Sequence, residues 1–264
     1  MPNAAPGFKK NPNRKILFEP SARRVRVKFE NEWIADSTEM MLMHETGHLP
    51  VYYFPVQDVR TDLLTPTEHS SYCSYKGEAS YWAIEVGNRK SENAVWGYKT
   101  PYDEMVKNGL QDYRAFYWDK TDQWFEEDEE IFVHPRDPYK RVDVMTSSRE
   151  VKITLGGQTV ATSNRANFLF ETHLPTRYYL PAEDIRMDLL TKTDTTTQCP
   201  YKGLANYWSA QIGGKHYDDI AWSYANPVPE CPKIKNLFCF YNENVDDIYV
   251  DGQITEKPTT KWSK

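Results

Sequence analysis

The chain has no run of about 18 apolar residues, the length a membrane-spanning helix needs, so no such helix is expected. Its opening stretch, MPNAAPGFKKNPNRK, contains no apolar core of the kind a secretory leader carries. Asn-x-Ser/Thr acceptors are absent. Cysteine is scarce: Cys73, Cys199, Cys231 and Cys239 follow no framework spacing, which predicts free thiols in a reducing, cytoplasmic compartment. Basic residues are not in excess, with 32 Lys+Arg against 38 Asp+Glu and a net charge of -6. Such a surface repels phosphate backbones and excludes a broad nucleic-acid face. There is no G-x-G-x-x-G, no P-loop and no G-x-S-x-G elbow.

Aromatics, by contrast, are abundant. They make up 14% of 264 residues, with 8 Trp and 18 Tyr. Together with a mean hydropathy of -0.74, this points to β structure packed by rings rather than an aliphatic helical bundle.

The strongest signal is an internal repeat. Shifted by 126 positions, the segment from Glu45 to Trp82 matches that from Glu171 to Trp208 without a gap. The register continues through Trp96/Trp222, Tyr98/Tyr224 and Pro101/Pro227, and backward through Val25/Val151, Ala35/Ala161 and Ser37/Ser163. A two-residue offset enters only at Phe116-Tyr117 against Phe240-Tyr241. The period is too long for a solenoid, so each copy reads as a domain. The expected layout is a first domain over 14–133, a linker over 134–148 rich in Pro and charge, and a second domain over 149–256. The first dozen residues and Lys257–Lys264 read as disordered.

Alternating apolar residues predict strands. Val25 and Val27 lead into Trp33-Ile34, and Val151, Ile153 and Leu155 lead through a Gly156-Gly157 turn into 159–162. Further strands are expected at Tyr52–Phe54, Ala79–Val86 and Ala94–Tyr98, each with a counterpart in the second copy. Ser37 and Ser163 read as caps of short helical turns. The acidic run Glu126–Glu130 reads as a solvated edge or hairpin.

Three stretches carry a resemblance: Y-Y-x-P-x-x-D-x-R-x-D-L-L from Tyr52 and Tyr178, C-x-Y-K-G-x-A-x-Y-W from Cys73 and Cys199, and W-x-Y-x-x-P from Trp96 and Trp222. Through them the chain resembles, over nearly its whole length, two tandem copies of the domain-of-unknown-function family four-two-seven, which also bears a nucleotidyltransferase-type label. The resemblance implies a mostly β fold: two tandem antiparallel β-tent domains, similar to Mss4-like folds, with little helix and a pseudo-two-fold relation. It implies no settled activity. The zinc-binding relatives of that fold use paired C-x-x-C knuckles. Here each copy shares one cysteine only, so no structural zinc and no cofactor is expected.

Four constellations carry possible chemistry. His44-Glu45-Thr46-Gly47-His48 spells the zincin H-E-x-x-H, but Gly47 and Pro50 oppose the helix that motif needs, and the second copy keeps only Glu171. Asp58-Arg60-Asp62 and Asp184-Arg186-Asp188 would share one face of an extended segment. They read either as a structural ion-pair clamp or as an arginine aimed at a substrate anion. Lys76 and Lys202, each before a glycine, read either as snorkelling side chains or as desolvated lysines able to hold an anion or move a proton. Tyr53, Trp82, Trp96, Tyr179, Trp208 and Trp222 are candidates to line a pocket for a small planar molecule. Arg177 stands where the first copy has Val51, favouring the second copy for an anionic ligand.

The leading expectation is a cofactor-independent, metal-free acid–base enzyme on a small organic metabolite, of isomerase, cyclase, lyase or hydrolase type. Glu45 or Glu171 would act as base or acid, Lys76 or Lys202 as anion stabiliser or proton donor, and Arg60 or Arg186 as anchor. The alternatives are a non-catalytic small-molecule or protein-binding module and a nucleotidyltransferase-type enzyme. A small molecule is the expected partner, without nucleic acid or membrane; the oligomeric state is open.

Overall fold

The computed structural model describes residues 3–263; Met1, Pro2 and Lys264 lie outside the described residues. The chain divides into two units, Met1–Asp137 and Pro138–Lys264. Both are antiparallel β structures with little helix. The first holds β1 (Ile16–Pro20), β2 (Val25–Phe29), β3 (Glu32–Ser37), β4 (Met41–Glu45), β5 (Val51–Pro55), β6 (Leu64–Cys73), β7 (Gly77–Val86), β8 (Arg89–Gly97), β9 (Tyr113–Phe116), β10 (Gln123–Glu126) and β11 (Glu129–Ile131). Two short helices, α1 (Pro6–Lys10) and α2 (Asp103–Val106), flank them. The second unit holds β12 (Val142–Thr146), β13 (Val151–Leu155), β14 (Gln158–Ser163), β15 (Asn167–Glu171), β16 (Arg177–Leu180), β17 (Leu190–Cys199), β18 (Gly203–Ile212), β19 (Lys215–Ser223), β20 (Phe238–Phe240), β21 (Asp247–Val250) and β22 (Gln253–Ile254).

Each unit has one seven-stranded sheet, β1-β4-β5-β9-β8-β7-β6 or β12-β15-β16-β20-β19-β18-β17. Each also has one four-stranded sheet, β11-β10-β2-β3 or β14-β13-β21-β22. The main core lies between them. Val25, Val27 and Phe29 on the small sheet meet Phe54, Ile84 and Phe116 on the large one; Val151, Ile153 and Leu155 meet Leu180, Ile212 and Phe240. The large sheet also buries residues on its opposite face. There Tyr53, Tyr81 and Tyr98 pack under Met105 and Leu110, and Tyr179, Tyr207 and Tyr224 pack with Cys231 and Ile234. Tyr52-Tyr53-Phe54 is therefore buried without alternation, as a strand covered on both faces must be.

The edge strands β6 and β17 carry the same irregularity. Pairing with the neighbour skips from Pro66 to Ser70 and from Lys192 to Thr196. Within each gap Thr67 donates to Asn93 Oδ1 (2.6 Å) and Thr193 to Asp219 Oδ1 (2.7 Å), and both acceptor residues have positive φ, 52° and 46°. A bulged, polar edge resists pairing with another chain.

Four expectations need correction. The segment 134–148 is not all linker: Val142–Thr146 pairs with β15 across five residues, because Val142 and Val144 pack into the second unit's outer cluster. No helical turn follows Ser37 or Ser163, although each hydroxyl does cap the chain after it, accepting the N–H of Glu39 (2.9 Å) or Arg165 (3.2 Å). Each hydroxyl also donates to an aspartate, Ser37 to Asp58 (2.5 Å) and Ser163 to Asp184 (2.6 Å), and apolar strands follow. The N-terminal dozen is ordered within the described residues: the Ala5 N–H donates to Glu104, and the Gly7 N–H donates to the Ser74 carbonyl. The C-terminal stretch also packs, through Thr260 and Trp262. The acidic run forms the β10–β11 hairpin. Among the described residues no helix is long and apolar enough to cross a membrane.

Gly77 and Gly203, which follow the motif lysines, have φ of +104° and +105°, and a Cβ on Gly203 would stand 3.1 Å from the Asn226 carbonyl oxygen. Alanine at either place forces strain of about 1–3 kcal/mol. Urea denaturation of Gly77→Ala and Gly203→Ala is expected to show a loss of that order, whereas Gly87→Ala, next to open space but also at positive φ, should lose about 1 kcal/mol.

Candidate functional site

Two devices recur in both units, and both lie on the outer-cluster face of the large sheet. The first is a buried carboxylate held by two cations. Glu45 ends β4. Its Oε2 accepts from Lys76 Nζ (2.5 Å) and its Oε1 from Arg14 Nη2 (2.6 Å). In the second unit Glu171 ends β15 and takes Lys202 on one oxygen and Lys140 (2.7 Å) on the other. The two glutamate side chains are only 9% and 6% exposed. Burial opposes the charge on Glu45, but the hydrogen bond and charge of Lys76, then of Arg14, outweigh it and hold the carboxyl below its usual range. Glu171 is held low likewise, by the charge of Lys202 and the hydrogen bonds of Lys140 and Lys202, against the larger effect of burial. Lys76 Nζ also lies 3.8 Å from Met43 Sδ and 5.9 Å from the Tyr98 ring centre.

This clamp bends the sheet. Four strand spacings separate β4 from β7 in the sheet order, roughly 19 Å in a flat sheet. Lysine and glutamate side chains cannot bridge that distance. Contact between Glu45 and the lysine in the β6–β7 turn therefore requires the large sheet to curl towards this face, and the same holds for β15 and the β17–β18 turn.

The second device is a hydroxyl chain beside a tryptophan. Ser71 Oγ and the Tyr81 hydroxyl are 2.6 Å apart, and Trp96 Nε1 donates to the Tyr53 hydroxyl (3.3 Å). The Tyr117 ring lies tilted against Trp96 with ring centres 4.4 Å apart. Burial, then the hydrogen bond with Tyr81, pushes the Tyr117 phenol up to about 12. In the second unit Thr197 and Tyr207 are 2.8 Å apart, Trp222 Nε1 donates to Tyr179 (3.1 Å), and Tyr241 lies 4.5 Å from Trp222. Burial raises Tyr53 and Tyr179 far above their ordinary value. The two copies differ at the rim: His69 lies on Tyr81 at 4.4 Å in the first, whereas Arg177 enters the second.

The structure thus gathers Glu45, Lys76, Tyr53 and Trp96 on one face, and Glu171, Lys202, Tyr179, Trp222 and Arg177 on its counterpart. Others fall elsewhere. Arg60 and Arg186 are not placed between two carboxylates. Each pairs in the exposed surface with one neighbour, Asp62 (2.7 Å) or Asp188 (2.6 Å). Asp58 and Asp184 turn to the serines because 3-10 turns at Val56–Asp58 and Ala182–Asp184 break the period of two. Trp82 and Trp208 belong to the main core on the other face. Trp82 meets the Arg114 guanidinium at 4.5 Å, and Trp208 packs edge-on to Phe238 at 4.7 Å. Arg177 is no open anion site; it is committed to Glu243 by two hydrogen bonds of 2.6 and 2.7 Å. The H-E-x-x-H residues run along β4 into a turn, not a helix. His48 instead contacts Arg14 at 3.0 Å.

Sequence reasoning missed Arg14 and Lys140, yet they stand 126 positions apart, in the register of the repeat. Ser71 and Thr197 obey the same shift, and Tyr117 and Tyr241 sit at the offset of 124.

A tandem pair of antiparallel β units, each with a curved sheet braced by a buried ion cluster, is the class that fold and site define. The chain belongs to the family described as a domain of unknown function (DUF427), which matches residues 17–127 and again 143–251. No curated protein matches.

A carboxylate held low in the folded state stabilises it above the ordinary value of 4.5 and loses that contribution as pH falls through the depressed value. Urea midpoints of the native protein should therefore fall between pH 6 and pH 3. Glu171→Gln leaves Lys202 and Lys140 without a counter-charge and should lose roughly 3 kcal/mol at neutral pH, with a flatter acid profile. Joint replacement of Glu171 and Lys202 by methionine should recover part of that loss.

Proposed function

We propose that each unit is a small-molecule-binding β domain, and that its ligand surface is the concave face built by the hydroxyl chain and the tryptophan. The observation that supports this reading is the repetition of that chain, Ser71–Tyr81 with Trp96–Tyr53 and Thr197–Tyr207 with Trp222–Tyr179. A face whose task was packing alone would be served by phenylalanine, without buried hydroxyls that each need a partner. Ser71, Trp96 and Tyr117, the members of this face that reach solvent above the buried tyrosines, suit a planar organic molecule with acceptor groups.

The same geometry argues for binding over acid–base turnover. A glutamate held below its usual range by two cations is a weakened base, and tyrosines raised by burial are weakened acids. In this reading the Glu–Lys cluster fixes the curvature of the sheet and touches no ligand.

NMR of the tryptophan indole N–H resonances, with anilinonaphthalenesulfonate as an anionic aromatic probe, tests the reading. Shifts are expected first at Trp96, and Tyr81→Phe should weaken them several-fold while changing the unfolding free energy from urea denaturation by no more than about 1 kcal/mol. Shifts spread over all eight indoles, or confined to Trp33 and Trp118 outside the face, would overturn it.

A further inference from the structure

The second unit carries a feature that the first lacks. Arg177 is 9% exposed and its partner Glu243 is wholly buried. Around the Arg177 guanidinium stand three rings, Trp222 at 5.6 Å, Tyr241 at 5.9 Å and Trp262 at 5.7 Å. Two of these rings belong to the sheet face, whereas the third comes from the C-terminal segment of the same chain. That segment is seated by specific bonds. Thr260 Oγ1 donates to Glu243 Oε1 (2.6 Å), and Asn244 Nδ2 donates to the Trp262 carbonyl (3.1 Å). From Pro258 to Ser263 its residues alternate between half-buried and exposed, with Pro258, Thr260 and Trp262 turned inward. It joins no sheet ladder, so side chains rather than strand pairing hold it.

In the first unit the position of Arg177 is Val51, and that of Glu243 is Asp119. The second copy thus has a buried ion pair whose outward face presents a cation to an aromatic ring and a carboxylate oxygen to a hydroxyl. Such a pair is poorly explained by stability, because apolar residues of similar size would serve as well. It is well explained by recognition of one ring and one hydroxyl at fixed spacing.

We infer that the Arg177–Glu243 pair forms a peptide-recognition site for a Thr-x-Trp segment, which Thr260–Trp262 of this chain occupies in cis. Arg177 holds the indole by a cation–π contact, Glu243 reads the threonine hydroxyl, and Asn244 fixes the backbone carbonyl after them. The site shares Trp222 and Tyr241 with the proposed ligand face of the second unit, so an occupied site leaves the first unit as the open one.

The test uses the chain ended after Lys257 and a synthetic peptide of residues 258–263. Removal of the segment is expected to shift the Trp222 indole resonance, and the peptide added in trans should restore it in a saturable way. The peptide carrying Trp262→Ala should bind about tenfold more weakly, or worse, and so should that carrying Thr260→Ala. If the shortened chain fails to fold, the full chain with Trp262→Ala must show the same Trp222 shift and must gain binding of the intact peptide. An unmoved Trp222 signal in both variants, or peptide binding indifferent to both substitutions, overturns the inference. The Trp96 resonance separates this result from the ligand reading: its response to anilinonaphthalenesulfonate does not depend on the C-terminal segment.

Discussion

A carboxylate buried between two cations sets the geometry of each unit. Glu45 takes Lys76 and Arg14, and Glu171 takes Lys202 and Lys140. The contact ties together three places that are remote along the chain: the approach to the first strand, the end of a strand near one edge of the sheet, and a turn near the other edge. Hydrophobic burial drives the two sheets together but does not by itself dictate how far the larger one curls. A charge that finds its partners only in the curled state does, because the flat alternative leaves the ions apart. Curvature then decides which side chains converge, and the tyrosine hydroxyls and the tryptophan meet on the inside of the bend.

The architecture was largely legible in the sequence. Alternation at Val25 and Val27 and at Val151–Leu155, the Gly156-Gly157 turn and a repeat of 126 led to tandem β domains, and the family resemblance to antiparallel ones. Strands β7 and β18 were expected, but the equally long β6 and β17 were not, and β4 and β15 stand where short helical turns were expected. Other failures were local. Around Asp58 and Asp184 a period of two was assumed, but short 3-10 turns sent each aspartate to a serine and left Arg60 and Arg186 in solvent. From Ser37 to Glu45 a short helical turn was expected after the serine, whereas the apolar run Met40–Met43 imposed a strand. The linker was placed by composition, and Pro and charge at 134–141 concealed a pairing strand directly after them.

The site was half legible. Glutamate and lysine of the repeat do meet, and so do Tyr53 with Trp96 and Tyr179 with Trp222. Their roles were harder to read, since a motif states which residues recur but not which other charges close on them. Arg14 and Lys140 lie outside the strongly matching stretch, and a lysine in one copy answers an arginine in the other, so identity alone hid them. Trp82 and Trp208 were assigned to the face by kind, although each follows a tyrosine in a strand and must point the opposite way.

Arg177 has one more effect, on fidelity. Two near-equivalent folds encoded in tandem invite a newly made strand to enter the wrong copy. Most of the exchanges would be silent, since valine answers valine and tyrosine answers tyrosine across the register. The strand carrying Arg177 is an exception. Seated where Val51 belongs, beside Met43 and Phe18, its guanidinium would enter an apolar setting without Glu243. The mismatch penalises the swapped assembly alone, so one arginine labels the second copy as itself while the polypeptide is still sorting its strands.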